Sequence, residues 1–240
     1  IYFTEAMMKF RNIKTLVAGL ALCVSSSAYA GLIDIVGGSS GSIPGGVALN
    51  NGLVPVYGAG TTSRSGYYGS EIQLTGSSQG YYLTFEFLGF EAAFHNEFNL
   101  GATELFDTEN HAGNNNWGSL GFFATVVASS GTLGFSFDYN QSGDAGDTVP
   151  PGTVANGSNP NPITDANAGP NFFVSCDSGA TDTNCDSIVL WLDDNGVDSD
   201  DDNHDDMAIR ITARLPEPSS IALIGLGLLG LGFASRRKKA

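Results

Sequence analysis

Tyr81-Tyr82-Leu83-Thr84-Phe85-Glu86-Phe87 is the stretch on which the fold turns. Its odd positions are apolar or aromatic, and Thr84 and Glu86 fall between them. Successive side chains of an extended chain point to opposite faces, so a period of two builds a strand with one packed and one wet face. The run continues to Phe90. A second alternation stands near the other end of the chain, where Met207, Ile209 and Ile211 oppose Arg210, Thr212 and Arg214. That segment is expected to complete the core.

Outward from these two, further strands are expected at 120–128, 132–139, 171–175 and 187–192, separated by Gly, Asn, Ser and Asp. Short alternating segments punctuated by turn residues describe an all-β protein, expected as a single jelly-roll-like β-sandwich domain over residues 31–215. Residues 90–99 read as a short helix. Residues 141–170, rich in Gly, Asn, Pro and Asp, read as a surface loop serving as a linker, with a binding loop as the alternative. An apolar fraction of 42% with 15 Phe and 8 Tyr is ample for a core, despite 32 Gly.

Charge is distributed unevenly along the 240 residues. All of the 25 acids except Glu5 and Glu217 lie in residues 31–215, whereas of the ten bases only Arg64, Arg210 and Arg214 do. The domain therefore stands near −20, more acidic than the −15 of the whole chain. Nucleic acid and anionic lipid are poor partners for such a domain, which would repel them. Clustered carboxylates outside a cell are commonly neutralised by a divalent cation, which points to calcium.

Both ends read as signals. Ile1 to Ala6 resemble upstream sequence, and Met7 or Met8 with Lys9, Arg11 and Lys14 makes a basic start. The apolar run from Leu16 to Val24 is short for a membrane span, and Ala28-Tyr29-Ala30 places small residues at the two positions a signal peptidase reads. Residues 1–30 are thus expected to be upstream sequence plus a signal peptide cleaved after Ala30. Cys23 follows Leu22, where lipidation needs a small residue, and is read as part of the apolar run.

Residues 216–240 begin with Pro216-Glu217-Pro218, continue as an apolar run from Ile221 to Phe233 and end in Arg236-Arg237-Lys238-Lys239. As a helix, Ser219 to Ser235 spans about 25 Å, enough to cross a bilayer with the basic side chains snorkelling, and the terminal charges stay cytoplasmic. Gly225-Leu226-Gly227-Leu228-Leu229-Gly230 spells GxGxxG, but no strand precedes it; small residues in an apolar span let another helix approach closely.

This order of parts resembles the PEP-CTERM sorting signal. The resemblance implies that Pro216, Glu217 and Pro218 are the recognition motif for an exosortase, a membrane protease-like partner. It also implies that the protein is exported, held in the inner membrane by its C-terminal helix, and then passed to the cell surface or the extracellular space. In that family such proteins belong to bacteria that often make exopolysaccharide, so the expected contribution is to a biofilm or extracellular matrix. The acidic segment ending in Asp205-Asp206-Met207-Ala208-Ile209-Arg210-Ile211 also resembles segments near the tail of other PEP-CTERM proteins.

The strongest signal inside the domain is Trp191 to Asp206, with eight Asp in sixteen residues. Asp198, Asp200 and Asp202 alternate as calcium loops require, and Asp205 and Asp206 are placed to close the shell. An EF-hand is excluded, because counting from Asp198 puts Asn203 at the turn glycine and Ile209 at the bidentate Glu. The alternative is a solvated acidic hairpin. Cys176 and Cys185 form an even pair in an oxidising compartment and are expected to be disulfide-bonded.

His95, His111 and His204 are dispersed, no GxSxG or HExxH occurs, and a non-enzymatic protein is expected. Two rival readings remain. A carbohydrate-binding module would stack sugars on Tyr67, Tyr68, Trp117 and Trp191, with Asn114 to Asn116 as polar contacts. A secreted hydrolase would pair two of Glu86, Glu91, Glu97 and Glu104.

Overall fold

The computed structural model describes residues 31–44, 63–78, 80–92, 94–109, 116–127, 130–141, 150–178, 181–195 and 204–216, together with Gly225 and Gly227. Among them the chain forms β1 (Ile33–Val36), β2 (Ser39–Pro44), β3 (Ser63–Tyr68), β4 (Glu71–Leu74), β5 (Tyr81–Phe90), β6 (Glu97–Leu100), β7 (Thr103–Asp107) and β8 (Asn116–Val127). It continues as β9 (Gly131–Thr132), β10 (Phe135–Tyr139), β11 (Gly152–Ala155), β12 (Asn171–Cys176), β13 (Asn184–Cys185), β14 (Ser187–Asp193) and β15 (Met207–Arg214).

Three antiparallel sheets result, ordered β13-β1-β4-β9, β11-β10-β6-β7 and β2-β3-β12-β14-β15-β5-β8. Tyr81, Leu83, Phe85 and Phe87 of β5, with Ile188, Leu190 and Leu192 of β14 and Met207, Ile209 and Ile211 of β15, line one face of the seven-stranded sheet. Against it pack Ile33, Ile35, Ile72 and Leu74 from one small sheet and Phe98, Phe135 and Phe137 from the other. Each large apolar side chain buried there contributes about 1.5–3 kcal/mol. The expected all-β, sandwich-like layering is met, but the sheet orders are those of three sheets rather than a two-sheet jelly roll.

Periodicity predicted β5 and β15 with their observed bounds, and the odd positions of β5 from Tyr81 to Phe87 have no exposed surface. The period breaks at Gly89, whose φ of 145° accompanies a register shift between Phe87 and Gly89. The bulge turns Phe90 to the same core as Phe87 and leaves Leu88 in a second cluster with Phe173, Val189, Trp191 and Ala208.

Four expectations are corrected. The short helix at 90–99 is absent: Phe90 ends β5, and Glu97 to Asn99 lie in β6, because Phe98 is needed, fully buried, on an inward strand face. The single strand at 132–139 is two, since the chain turns at Leu133-Gly134 and leaves one small sheet for the other. The sequence reading also passed over the short strands β1 to β4: Ser and Gly hide the alternation of β2 and β3, whereas β1 and β4 alternate over only four residues each.

The fourth concerns the 141–170 loop. Gly152–Ala155 pairs with β10, and beyond it asparagines act as strand substitutes. Asn156 accepts from Ile72 N at 2.8 Å and donates to Ile72 O at 2.8 Å and Leu133 O at 2.7 Å. Asn159 clamps Phe172 in the same way, donating to its O at 2.7 Å and accepting from its N at 2.9 Å. A carboxamide reproduces a peptide's donor and acceptor, so these residues finish sheet edges without being strands. Residues 142–149 lie outside the described residues.

The disulfide joins Cys176 at the end of β12 to Cys185 in β13, with Cα atoms 5.9 Å apart, and thereby ties the large sheet to a small one. Arg64 reinforces the corner by donating through Nη2 to Cys176 O and to Asp177 O, the latter at 2.6 Å.

Two measurements check this account. Asn156→Ala is expected to cost about 1–3 kcal/mol, by leaving the Ile72 N–H without its acceptor, whereas Ile72 O and Leu133 O keep the bonds they accept from Leu133 N and Phe135 N. The loss should appear as a lower urea midpoint at unchanged m-value. Replacing both Cys176 and Cys185 by Ser is expected to cost about 2–3 kcal/mol in the same assay.

Candidate functional site

β14 and β15 are neighbours, with Leu192 facing Met207, so the acids just after β14 and just before β15 are forced together. Asp193, Asp194 and Asp205 are buried, and Asp206 is half-buried as a residue with its carboxyl desolvated. Asp194 N donates to Asp206 Oδ2 at 2.9 Å, Asp206 N to Leu192 O at 3.2 Å, and Asn195 N to Asp193 Oδ1 at 3.1 Å. Glu91 N, just beyond β5, donates to Asp205 O at 2.8 Å.

Two further polar side chains frame these carboxylates. Asn96, fully buried ahead of β6, donates through Nδ2 to Asp194 Oδ2 at 2.6 Å. His204 is fully buried, with φ of 58°, and its Nδ1 lies 4.0 Å from Asp193 Oδ2. Asn171 turns its amide nitrogen to Gly169 O, at 3.4 Å, and so offers its oxygen to His204 Nε2 at 3.0 Å. Tyr68 and Phe173 pack edge-on to the imidazole, with centroids 5.3 and 6.2 Å away.

The electrostatic consequence is clearest at Asp206. Its carboxyl is held well above the usual aspartate range, first by desolvation and then by the charges of Asp194, Asp193 and Asp205. The site favours whatever neutralises it, a proton or a cation.

Of the expected calcium ligands, Asp205 and Asp206 are thus brought together with Asp193 and Asp194; Asp198, Asp200 and Asp202 lie outside the described residues. Among the described residues no group of three or more His, Cys, Asp and Glu is arranged to hold a metal ion. Sequence reading missed Asn96, which lies 98 positions from Asp194 and carries no local signal. The one available clue was position, because Asp193-Asp194 directly follows an apolar strand run and Asp205-Asp206 directly precedes one.

The carbohydrate-stacking set is not assembled. Trp191 is fully buried and donates to Ser175 Oγ at 3.2 Å, Tyr68 is 8% exposed, and the half-buried Tyr67 donates its hydroxyl to Thr181 O at 2.6 Å. Trp117 is half-buried, Asn116 opens β8, and Asn114 and Asn115 lie outside the described residues. The alternation that sends Leu190 and Leu192 to one core sends Trp191 to the other.

Among the acids weighed for hydrolysis, Glu86 is bonded to Arg210 Nη1 at 2.7 Å. Glu97 lies 3.7 Å from His95 Nε2. Glu104 titrates above the usual range through desolvation and then the charges of Glu97 and Asp107.

At the chain's end, Leu215 packs half-buried on the core directly after β15, and Pro216 follows it. Glu217, Pro218, Ala28 and Ala30 lie outside the described residues. No helix among the described residues is long and apolar enough to cross a membrane. Residues 215–238 match the PEP-CTERM protein-sorting motif. No curated protein and no solved structure matches the chain.

The raised Asp206 carboxyl sets a pH dependence. In the folded state it holds a proton that the unfolded chain releases, so stability falls as pH rises from the ordinary aspartate range through the raised one. In a chelator, residues 31–215 are expected to melt at a higher temperature on the acid side of that window. Asp206→Asn should reduce the slope.

Proposed function

From a chain that carries the PEP-CTERM sorting motif, and is therefore an exported protein sorted through an exosortase by way of a membrane-anchored intermediate, we propose a non-enzymatic surface module. Its 193–206 segment binds calcium, and the protein serves the extracellular matrix or biofilm, alongside exopolysaccharide. The observation that carries this reading is the convergence of Asp193, Asp194, Asp205 and Asp206 at one hairpin base. Calcium takes six to eight oxygen ligands and accepts monodentate carboxylates and carbonyls from a flexible loop. The base supplies fixed oxygens from both of its strands. Asp198, Asp200 and Asp202 supply more from the intervening segment.

A near −20 domain outside the cell meets calcium at concentrations where even a weak site fills. Binding to the folded state alone raises stability by about 2.7 kcal/mol at a hundred times the dissociation constant. Export and calcium thus combine in one device: a chain released from the cytoplasm gains its full stability on arrival. Leu215, packed on the same core that β15 completes, places the sorting motif directly beyond that stabilised strand.

Thermal unfolding of residues 31–215 in chelator and in millimolar calcium tests the reading. A rise in midpoint is expected, lost on changing Asp198, Asp200 and Asp202 to Asn; an unchanged midpoint overturns calcium binding. Separately, replacing Pro216, Glu217 and Pro218 by Ala in a producing cell is expected to leave the chain in the inner-membrane fraction, read by fractionation and blotting. Normal release would contradict motif-directed processing.

A further inference from the structure

The two ends of the seven-stranded sheet are built differently. β2, at one end, is short and rich in Ser, finishes in Pro44, and is overlain by Asn161, whose Nδ2 donates to Ser39 Oγ at 3.0 Å. β8, at the other end, runs twelve residues with no proline and no charge. From Gly121 to Val127 it pairs residue for residue with β5, and among the described residues no strand pairs with its other side. Strand edges in soluble proteins are ordinarily blunted by proline, inward charge or cover. β2 carries two of these; the regular half of β8 carries no proline and no charge, and among the described residues no strand covers it.

The surface beside that edge is apolar and neutral. Phe122 is 66% exposed and Tyr82, on the same sheet face, 52%. Glu86, directly opposite Phe122, is neutralised by Arg210, which also reaches Asp177 with Nε to Oδ2 at 3.1 Å. Arg214 faces Tyr82 across β15 and β5 and is exposed. Two of the three bases in residues 31–215 therefore lie on β15, on the side of the sheet that ends in β8.

This distribution selects the occupant. A basic partner is drawn to the acidic segment rather than to this face. Copies of a chain near −20 repel one another wherever acids meet, and along β15, β5 and β8 the one acid is Glu86, already paired with Arg210. An antiparallel edge is also self-complementary, since a twofold axis pairs each strand's open N–H and C=O groups with those of its copy.

We propose that the Gly121–Val127 edge of β8 pairs antiparallel with the same edge of a second copy, joining two seven-stranded sheets into one continuous sheet. The twofold axis then passes at position 124, and Phe122 gains cross-strand neighbours around position 126 of the copy. Because residual repulsion between the acidic domains is screened by salt, the association strengthens with ionic strength.

The full chain in detergent, with Cys23 replaced by Ser, is examined by sedimentation equilibrium across a range of protein and sodium chloride concentrations. The expected result is a monomer–dimer equilibrium that tightens with salt. Phe122→Glu should abolish it. Phe122→Ser, which removes the ring without adding charge, should raise its dissociation constant by about tenfold or more. Ile163→Glu, at a position 59% exposed elsewhere, should leave it unchanged. A wild-type monomer throughout overturns the proposal, and so does a dimer indifferent to both Phe122 variants, which assigns association to the C-terminal tail. Unchanged melting of Phe122→Ser establishes that its effect is on association rather than on folding.

Discussion

The rest of the structure depends on one antiparallel pairing, β14 with β15. It occupies the middle of the large sheet, contributes inward side chains from both strands to the core, and closes a hairpin whose base concentrates carboxylates. The apolar gain and the electrostatic cost have the same origin. Leu192 cannot face Met207 without drawing Asp193-Asp194 toward Asp205-Asp206. The hairpin therefore folds under a charge constraint that Asn96, a proton or a cation relieves.

That constraint gives a physical link between where the protein goes and how it holds together. β15 is the last strand described, and the sorting motif begins on the residue after it. The core partner of the acidic hairpin is thus also the element from which the membrane tail departs. Leu215, the first residue of the motif, is itself packed on that core.

How much of this was legible in the sequence varies with the range of the interaction involved. The strands β5 and β15 were readable because alternation is local, and the sorting tail because its three parts stand in fixed linear order. The strands β2 and β3 were not, since Ser and Gly at sites such as Ser65 and Gly66 remove the apolar contrast, and β1 and β4 alternate over only four residues each; at Gly66 only a missing side chain fits against the Val174 carbonyl. The 141–170 segment misled for a different reason: Asn156 and Asn159 look like turn residues, yet their carboxamides bond the backbones of Ile72 and Phe172. At the acidic site the aspartates were visible as a cluster, whereas Asn96 and Asn171 reach it only through the tertiary fold. Trp191 looked like a surface platform because a strand buried on both faces shows no alternation.

The central claim is that the hairpin base exchanges a proton for calcium, and calorimetric titration of residues 31–215 with calcium in two buffers of different ionisation enthalpy tests it most directly. At a pH where the raised Asp206 carboxyl is still partly protonated, the account predicts saturable binding whose apparent enthalpy differs between buffers in the sense of proton release. Saturable binding with the same enthalpy in both buffers, or no binding at all, would contradict it.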